Sequence, residues 1–334
     1  MGENTPLIEV KNLKTWFPVK SGVLQRTTAH VRAVDDVSFS IPRGKTLALV
    51  GESGCGKTTV GKTILRLIKA TDGEVCYGGK NLLQLSEKDL FPYRKKLQII
   101  FQDPANSLNP RMLVKDIVGE GLRSFKMVTG KVEYEAKVTS VLEKVGLGSD
   151  TLHRYPHEFS GGQRQRICIA RALAVDPEFI VCDEATSALD VSVQASILNL
   201  LKDLQQELGL TYLFITHDLS VVEYLSDRVA VMYLGQLVDE ADTPELFANP
   251  KHPYTQALMA SAPSLDPDHR ELIALGGEVP SPMDPPRGCR FHTRCDKRFE
   301  PCDKGEVPFV DVPGGKCRCL LFEKQSAPTA HQGN

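Results

Sequence analysis

The stretch that decides the fold is Gly51-Glu52-Ser53-Gly54-Cys55-Gly56-Lys57-Thr58, which matches the pattern G-x-x-x-x-G-K-[ST]. Its glycines allow backbone N–H groups to turn inward around phosphate oxygens. An apolar run, Thr46–Val50, precedes it, and a helix is predicted from Lys57 to Ile68. In this context Lys57 reaches the β- and γ-phosphates, and Thr58, with Thr59 beside it, offers a hydroxyl to Mg²⁺. The loop predicts a phosphate site but does not separate GTPases, kinases and ATPases.

Strands and helices alternate through the rest of the chain. Strands are predicted at Leu7–Leu13, Ala33–Ile41, Leu97–Gln102, Phe179–Cys182 and Thr211–Thr216, with a hairpin at Arg228–Tyr233 and Gln236–Glu240. The region from about 111 to 158 is predicted to be largely helical, for example at Tyr134–Val145. Further helices are predicted from after Ser160 to about Ala174 and at Val191–Leu208. This alternation indicates an α/β fold with a mainly parallel sheet covered on both faces.

Composition limits the class of protein. The chain has 334 residues, 41% hydrophobic and 25% charged, with 40 Lys and Arg against 42 Asp and Glu. A general nucleic-acid binder usually has a basic excess, so no nucleic-acid partner is expected. No run of 18 apolar residues is present, and Met1–Asn4 does not resemble a signal peptide. We therefore expect a globular chain that does not itself span a membrane.

Two acids end a predicted buried strand. Asp183 and Glu184 follow the apolar run Phe179–Cys182. Behind a phosphate loop, Asp183 can hold Mg²⁺ through water and Glu184 can accept a proton from an attacking water. The alternative is a solvent-exposed acid pair at a strand end, which is common.

A second anion site is predicted where Ser160-Gly161-Gly162-Gln163 precedes a helix. Ser160 is a good N-cap, and the two glycines expose backbone N–H groups. With one nucleotide loop per chain, this second site would serve the nucleotide of another subunit. An ordinary capped helix that binds nothing is the alternative.

Several motifs together resemble the ABC ATPase family. Phe159–Arg166 resembles its signature motif, Ser187–Asp190 its D-loop, Thr216–Asp218 its switch-histidine region, and Gln102 its Q-loop glutamine. The resemblance implies a P-loop NTPase ABC ATPase core over residues 1–245. Such a core has a RecA-like parallel sheet, an N-terminal antiparallel β-subdomain and a helical subdomain, here at about 103–165.

The resemblance also implies roles for individual residues. Two ATP molecules would lie between the phosphate loop of one subunit and Ser160–Gln163 of the other in a head-to-tail dimer, with Asp190 also in the nucleotide-binding set. Glu184 would be the catalytic base, His217 would contact the γ-phosphate and Gln102 would sense Mg²⁺. Phe17 is favoured as the aromatic that stacks on adenine, with Trp16 as the alternative. Ala185 stands where the family usually has proline. Because alanine is less rigid than proline, this turn should be slightly looser, without loss of activity.

Further segments resemble one branch of the family, the second (F-type) ATP-binding subunit of bacterial dipeptide and oligopeptide importers. They are Phe101–Arg111, Tyr155–His157, His252–Leu258 and Gly288–Phe291. The resemblance implies two membrane permeases, a second and different ABC ATPase subunit, an extracytoplasmic peptide-binding protein, and a peripheral location on the cytoplasmic side of the inner membrane. Nickel, glutathione and some sugar importers share the branch. A soluble ABC ATPase acting on nucleic acid is less favoured, because neither long coiled coils nor tandem cores are present.

Five cysteines lie between residues 289 and 319, inside a predicted Cys-rich C-terminal extension at 246–324 that precedes a disordered tail at 325–334. Cys289, Cys295, Cys302 and Cys319 lack the C-x2-C pairs of structural zinc sites. Their irregular spacing suits a [4Fe–4S] cluster, which members of the resembled group carry. Zinc and reduced structural thiols remain alternatives, and Cys317 is the alternative fourth ligand.

Overall fold

The computed structural model describes residues 6–22, 26–187, 189–261 and 276–323. Its strands are β1 (Ile8–Ser21), β2 (Arg26–Ile41), β3 (Thr46–Val50), β4 (Asp72–Tyr77), β5 (Lys80–Asn81), β6 (Leu97–Ile100), β7 (Phe179–Asp183), β8 (Thr211–Ile215), β9 (Arg228–Tyr233), β10 (Gln236–Asp242), β11 (Val310–Val312) and β12 (Gly315–Cys317). Its helices are α1 (Lys57–Ile64), α2 (Glu87–Lys96), α3 (Pro104–Ser107), α4 (Val114–Val118), α5 (Glu120–Ser124), α6 (Lys131–Lys144), α7 (Gly161–Leu173), α8 (Val191–Leu208), α9 (Leu219–Leu225), α10 (Thr243–Ala248), α11 (Pro253–Ala260) and α12 (Leu320–Glu323). Short 3₁₀ turns occur at Leu82–Gln84, Ser149–His153 and Pro156–Glu158.

The larger sheet has the strand order β11-β12-β10-β9-β3-β8-β7-β6. Strands β9, β3, β8, β7 and β6 are parallel to one another, whereas β10, β12 and β11 are antiparallel. All residues of β3, β7 and β8 are buried, which explains their near-continuous apolar sequences. The parallel core confirms the predicted sheet, and it places the carboxyl ends of β3 and β7 at the same edge.

The smaller sheet is antiparallel, with the order β2-β1-β4-β5. The predicted first strand, Leu7–Leu13, was too short, because β1 continues to Ser21 and pairs with a β2 that begins at Arg26. The outer halves of both strands are largely exposed and polar, so they carry little apolar signal in the sequence. The first helix was predicted too long: α1 ends at Ile64, and Arg66 then adopts a positive φ of 51°.

The region from 103 to 165 is helical but more fragmented than predicted, because glycines at 119 and 130 separate α4, α5 and α6. Buried side chains of α6, including Val138 and Leu142, pack in the same apolar cluster as Ile167 and Ala170 of α7. This packing anchors the helices beside the start of α7.

The C-terminal segment, defined as residues 276–323, is mostly turns but adds two strands that the sequence did not predict. Strand β12 pairs with β10, so this segment extends the larger sheet. The predicted domain boundary after residue 245 falls inside α10, and the division into domains stays a prediction. The predicted disordered tail at 325–334 lies outside the described residues. In the part of the chain that the structure describes, no helix is long and apolar enough to cross a bilayer.

Candidate active site

The phosphate loop lies between β3 and α1 and requires glycine for steric reasons. Gly51, Gly54 and Gly56 have φ values of 149°, 79° and 113°. A Cβ at Gly51 would lie 2.1 Å from the Met232 carbonyl oxygen, and one at Gly56 would lie 2.0 Å from the Ala33 carbonyl oxygen. No side chain fits at these two positions, so the path of the loop requires glycine there.

Lys57 and Thr58 begin α1 inside this loop. The Lys57 ammonium is buried and donates hydrogen bonds to the carbonyl oxygens of Gly51 at 2.8 Å and Glu52 at 2.9 Å. The Thr58 hydroxyl donates to Asp183 Oδ1 at 2.6 Å. Burial raises the pKa of Asp183, and the Thr58 hydrogen bond opposes that shift. Thr59 lies in the same first turn, where its carbonyl accepts a hydrogen bond from Thr63.

Glu184 follows β7 and contacts three residues from other parts of the chain. Its φ is 48°, a left-handed conformation that costs free energy in a non-glycine residue, and its N–H donates to the Ile215 carbonyl of β8 at 2.9 Å. Gln102 Nε2 donates to one carboxylate oxygen at 2.7 Å, and His217 Nδ1 lies 3.5 Å from the other. Three predicted residues that are distant in sequence therefore meet at the end of β7, and the buried Ala185 follows directly.

The Ser160–Gln163 segment begins α7 and caps itself. Ser160 Oγ accepts a hydrogen bond from the Gln163 N–H, and the Gln163 side chain accepts one from the Ser160 N–H. A Cβ on Gly162 would lie 2.4 Å from Val193 Cγ1, so this helix start packs against α8, which Asp190 caps through the Val193 N–H. Ser160 and Gln163 are exposed. Ala188, in the predicted D-loop, lies outside the described residues.

The two candidate adenine-stacking residues have different surroundings on β1. Trp16 donates from Nε1 to Asp35 at 3.1 Å, and the Arg32 guanidinium lies 5.1 Å from its ring centre. Phe17 is 38% exposed, so its ring is the more accessible of the two. This difference is compatible with the prediction that Phe17 stacks on adenine, which stays a prediction.

Four of the C-terminal cysteines line one small cavity. Cys289, Cys295, Cys302 and Cys319 share this cavity with His252, whereas Cys317 belongs to β12. Burial raises the pKa of Cys289 and of Cys319 to about 11. Among the described residues, no three Cys, His, Asp or Glu side chains are close enough together to hold a single metal ion.

His252 is the one wholly buried imidazole beside these cysteines. Its Nδ1 accepts the Tyr254 N–H at 3.0 Å, and its Nε2 has no hydrogen-bond partner. Burial lowers the pKa of His252 to about 3, against a smaller opposing effect of the Arg318 backbone. The ring is therefore neutral, and Nε2 carries its proton because Nδ1 accepts a hydrogen bond.

The sequence did not predict the partners of Glu52. The Glu52 N–H donates to the Tyr254 hydroxyl at 2.9 Å, and its carboxylate accepts two hydrogen bonds from Arg294. Each contact joins two residues that are more than 200 positions apart in the sequence, so no local sequence pattern predicts it.

Comparisons with known proteins agree with this geometry. The family model described as ABC transporter matches residues 34–187, and that described as oligopeptide/dipeptide transporter, C-terminal region, matches residues 238–302. The chain is 51% identical to the oligopeptide transport ATP-binding protein AppF of Bacillus subtilis, covering 90% of this chain and 92% of the relative. It is 48% identical to the dipeptide transport ATP-binding protein DppF of Escherichia coli, covering 97% and 96%.

Solved structures give the same result for the fold. The ATP-binding cassette MJ0796, in a dimeric post-hydrolysis state bound to ADP and Pi, superposes with a TM-score of 0.63 at 30% identity, covering 71% of this chain and 98% of that one. The structure of cbiO1 from Clostridium perfringens, part of the complex cbiONQ, has a TM-score of 0.62 at 28% identity, covering 74% and 92%.

Proposed function

Because the chain belongs to the ATP-binding subunits of ABC transporters, we propose that it hydrolyses ATP to power import of dipeptides or oligopeptides across the cytoplasmic membrane. The observation that carries the proposal is the meeting of Gln102, Glu184 and His217 at the end of β7, next to the Thr58–Asp183 pair. The names of the relatives support peptides over the nickel and glutathione alternatives.

ATP would bind with its phosphates in the Gly51–Thr58 loop. The backbone N–H groups and the α1 N-terminus would contact the phosphate oxygens, and Lys57 would leave its carbonyl partners to reach the β- and γ-phosphates. Oxygen ligands from Thr58 and Gln102, with Asp183 acting through water, would hold Mg²⁺, which neutralises phosphate charge when bound. Phe17 would stack on adenine.

Hydrolysis needs a base within reach of the attacking water. Glu184 would accept the proton of a water whose oxygen attacks the γ-phosphorus, while the bond to the β-phosphate oxygen breaks. Gln102 and His217 already orient the Glu184 carboxylate, and His217 is 60% exposed, so its ring can also reach a γ-phosphate. The strained backbone of Glu184 fixes where that carboxylate points.

The partner would be a second ABC ATPase subunit. Ser160 and Gln163 are exposed, and the half-buried Gly161 and Gly162 lie in the first turn of α7, where N–H groups lack intrahelical acceptors. These groups, with Asp190 nearby, would complete the nucleotide site of the partner, and the partner would complete the Lys57 site. The pair would sit under two permeases at the cytoplasmic face, contacted by the helical subdomain at about 103–165, and receive peptide from an extracytoplasmic binding protein.

We also propose a [4Fe–4S] cluster held by Cys289, Cys295, Cys302 and Cys319, within the extension predicted at 246–324. The fit rests on the cavity that the four cysteines share, with the neutral His252 ring beside it. The lack of C-x2-C pairs among these cysteines favours a cluster over structural zinc.

Iron and acid-labile sulfide analysis after anaerobic purification tests the cluster. We expect both elements in wild type and in Cys317→Ser, and their loss in Cys319→Ser. Comparing these two variants distinguishes a cluster ligand from a neighbouring buried thiol that does not bind the cluster. One zinc per chain without sulfide would contradict the cluster.

ATP-dependent uptake tests the transport function. The chain, its partner ATPase, the permeases and the binding protein are reconstituted in vesicles, with radiolabelled dipeptide presented on the binding-protein side. We expect uptake that requires ATP and is absent with Lys57→Ala. ATP hydrolysis stimulated by nickel or glutathione but by no peptide would overturn the substrate class.

A further inference from the structure

Glu52 occupies the second position of the phosphate loop, yet its carboxylate and its backbone N–H contact residues from the C-terminal third of the chain. Arg294 donates from its two terminal nitrogens to the two carboxylate oxygens at 2.9 and 3.0 Å. Tyr254 accepts the backbone N–H at 2.9 Å. The two contacts hold the side chain and the main chain of a single loop residue.

The groups that hold Glu52 are themselves held rigidly. The Arg294 side chain is only 3% exposed, its Nε donates to the Gly276 carbonyl, and its guanidinium lies over the rings of Tyr233 and Phe291. Tyr254 is fully buried and packs against the same two rings. A bidentate charged pair in such surroundings loses little entropy on forming and is stronger than an exposed ion pair.

These observations lead to one proposal, which rests on the proposed ATPase function and deepens it. We propose that Arg294 and Tyr254 are positioning residues for ATP, bracing the phosphate loop through Glu52 so that the loop is shaped before nucleotide binds. Arg294 directly precedes Cys295, so the residue that contacts the phosphate loop is adjacent in sequence to one that lines the cysteine cavity.

The brace predicts a specific kinetic signature. The loop contacts phosphate both before and during reaction, so a looser loop weakens ground-state and transition-state binding alike. We expect Arg294→Gln to raise the ATP KM and the Kd for MgADP about tenfold, as loss of a charged hydrogen-bonded pair should, with kcat changed less than twofold. A merely structural role would lower the active fraction, and thus kcat, while leaving KM unchanged.

Companion variants make the test independent of folding. Tyr254→Phe removes one hydroxyl without changing shape and should raise KM about threefold. Glu52→Gln should reproduce the Arg294→Gln effect, and the double variant should be no worse than either single one, because both remove the same pair. Arg298→Gln is the matched control, since Arg298 lies in the same segment but pairs with Asp303 at the surface.

KM and kcat are measured on the assembled transporter, and MgADP affinity is measured by equilibrium binding to the purified chain. Folded Arg294→Gln and Tyr254→Phe variants with KM and Kd within twofold of wild type would overturn the brace. If wild type binds MgADP but does not hydrolyse ATP, the proposed function fails, while the Kd comparison still tests the brace.

Discussion

The two ends of the candidate site differ in how their polar groups are satisfied. At the phosphate loop, Lys57 and Asp183 are buried and hydrogen-bonded within the chain. At the start of α7, Ser160 and Gln163 are exposed, and each side chain accepts a hydrogen bond from the backbone N–H of the other. The chain thus shapes its phosphate loop by itself but presents the α7 start outward. This contrast is what a site shared between two subunits requires.

The largest expected effect tests the buried end. Glu184→Gln keeps the shape and the Gln102 contact but removes the base, so ATP turnover should fall roughly 10²–10³-fold while ATP remains bound. Turnover is measured by phosphate release, and retention by the nucleotide content of purified complex. Glu207→Gln, in a surface pair with Lys144, is the control and should behave as wild type. Equal turnover in Glu184→Gln would refute the assignment of the base.

A second variant tests the exposed end. Ser160→Asp keeps a good N-cap, so the melting temperature should stay within about 1 °C of wild type. The new negative charge would face the phosphates bound by the partner, and like-charge contact should reduce turnover about 10²-fold. The Kd for MgADP at the variant's own phosphate loop should not change. A loss of MgADP binding in this variant would contradict the view that the start of α7 and the phosphate loop of one chain act on different nucleotides.

The smallest expected effect is on stability, and it concerns the ion pairs of Glu178 at the start of β7. Glu178 precedes β7 and pairs with Arg43 at 2.6 Å and Lys96 at 2.8 Å. Burial alone would raise the pKa of Glu178, but hydrogen bonds from Lys96, Arg43 and Tyr77 lower it to about 2. A lowered pKa stabilises the fold above the unfolded value near 4.5, and this contribution disappears as pH falls towards 2.

Glu178→Gln should therefore cost about 1 kcal/mol of unfolding free energy at pH 7, since the group is partly exposed. The difference from wild type should shrink between pH 4.5 and 2. Urea unfolding across this range measures it. A constant difference at every pH would place the cost in packing rather than in the charge of Glu178.

The sequence predicted the parts of this molecule that rest on local pattern. The phosphate loop needs glycines at fixed spacing, the buried strands β3, β7 and β8 are nearly all apolar, and Ser160 indicates the N-cap of α7. Each signal lies within a few residues of the structure it specifies, so short windows suffice.

Long-range contacts were not predictable in this way. The β12–β10 pairing and the Arg294–Glu52 ion pair each join residues that lie far apart in the sequence. The outer halves of β1 and β2 were not predicted, because exposed polar strands that pair through backbone hydrogen bonds show no alternation of apolar residues in the sequence. Resemblance to a family predicted that Gln102 and Glu184 serve the same site, but their direct contact was not predicted.

The most direct test of the shared site is a structure of the assembled transporter carrying Glu184→Gln, determined with Mg²⁺ and ATP. We predict that the Gly162 N–H and the Ser160 hydroxyl lie about 2.7–3.2 Å from γ-phosphate oxygens of the ATP held by the neighbouring ATPase subunit. ATP bound at Lys57 and Thr58, with no neighbouring phosphate in contact with Ser160–Gln163, in a complex whose wild type hydrolyses ATP under the same conditions, would contradict the account.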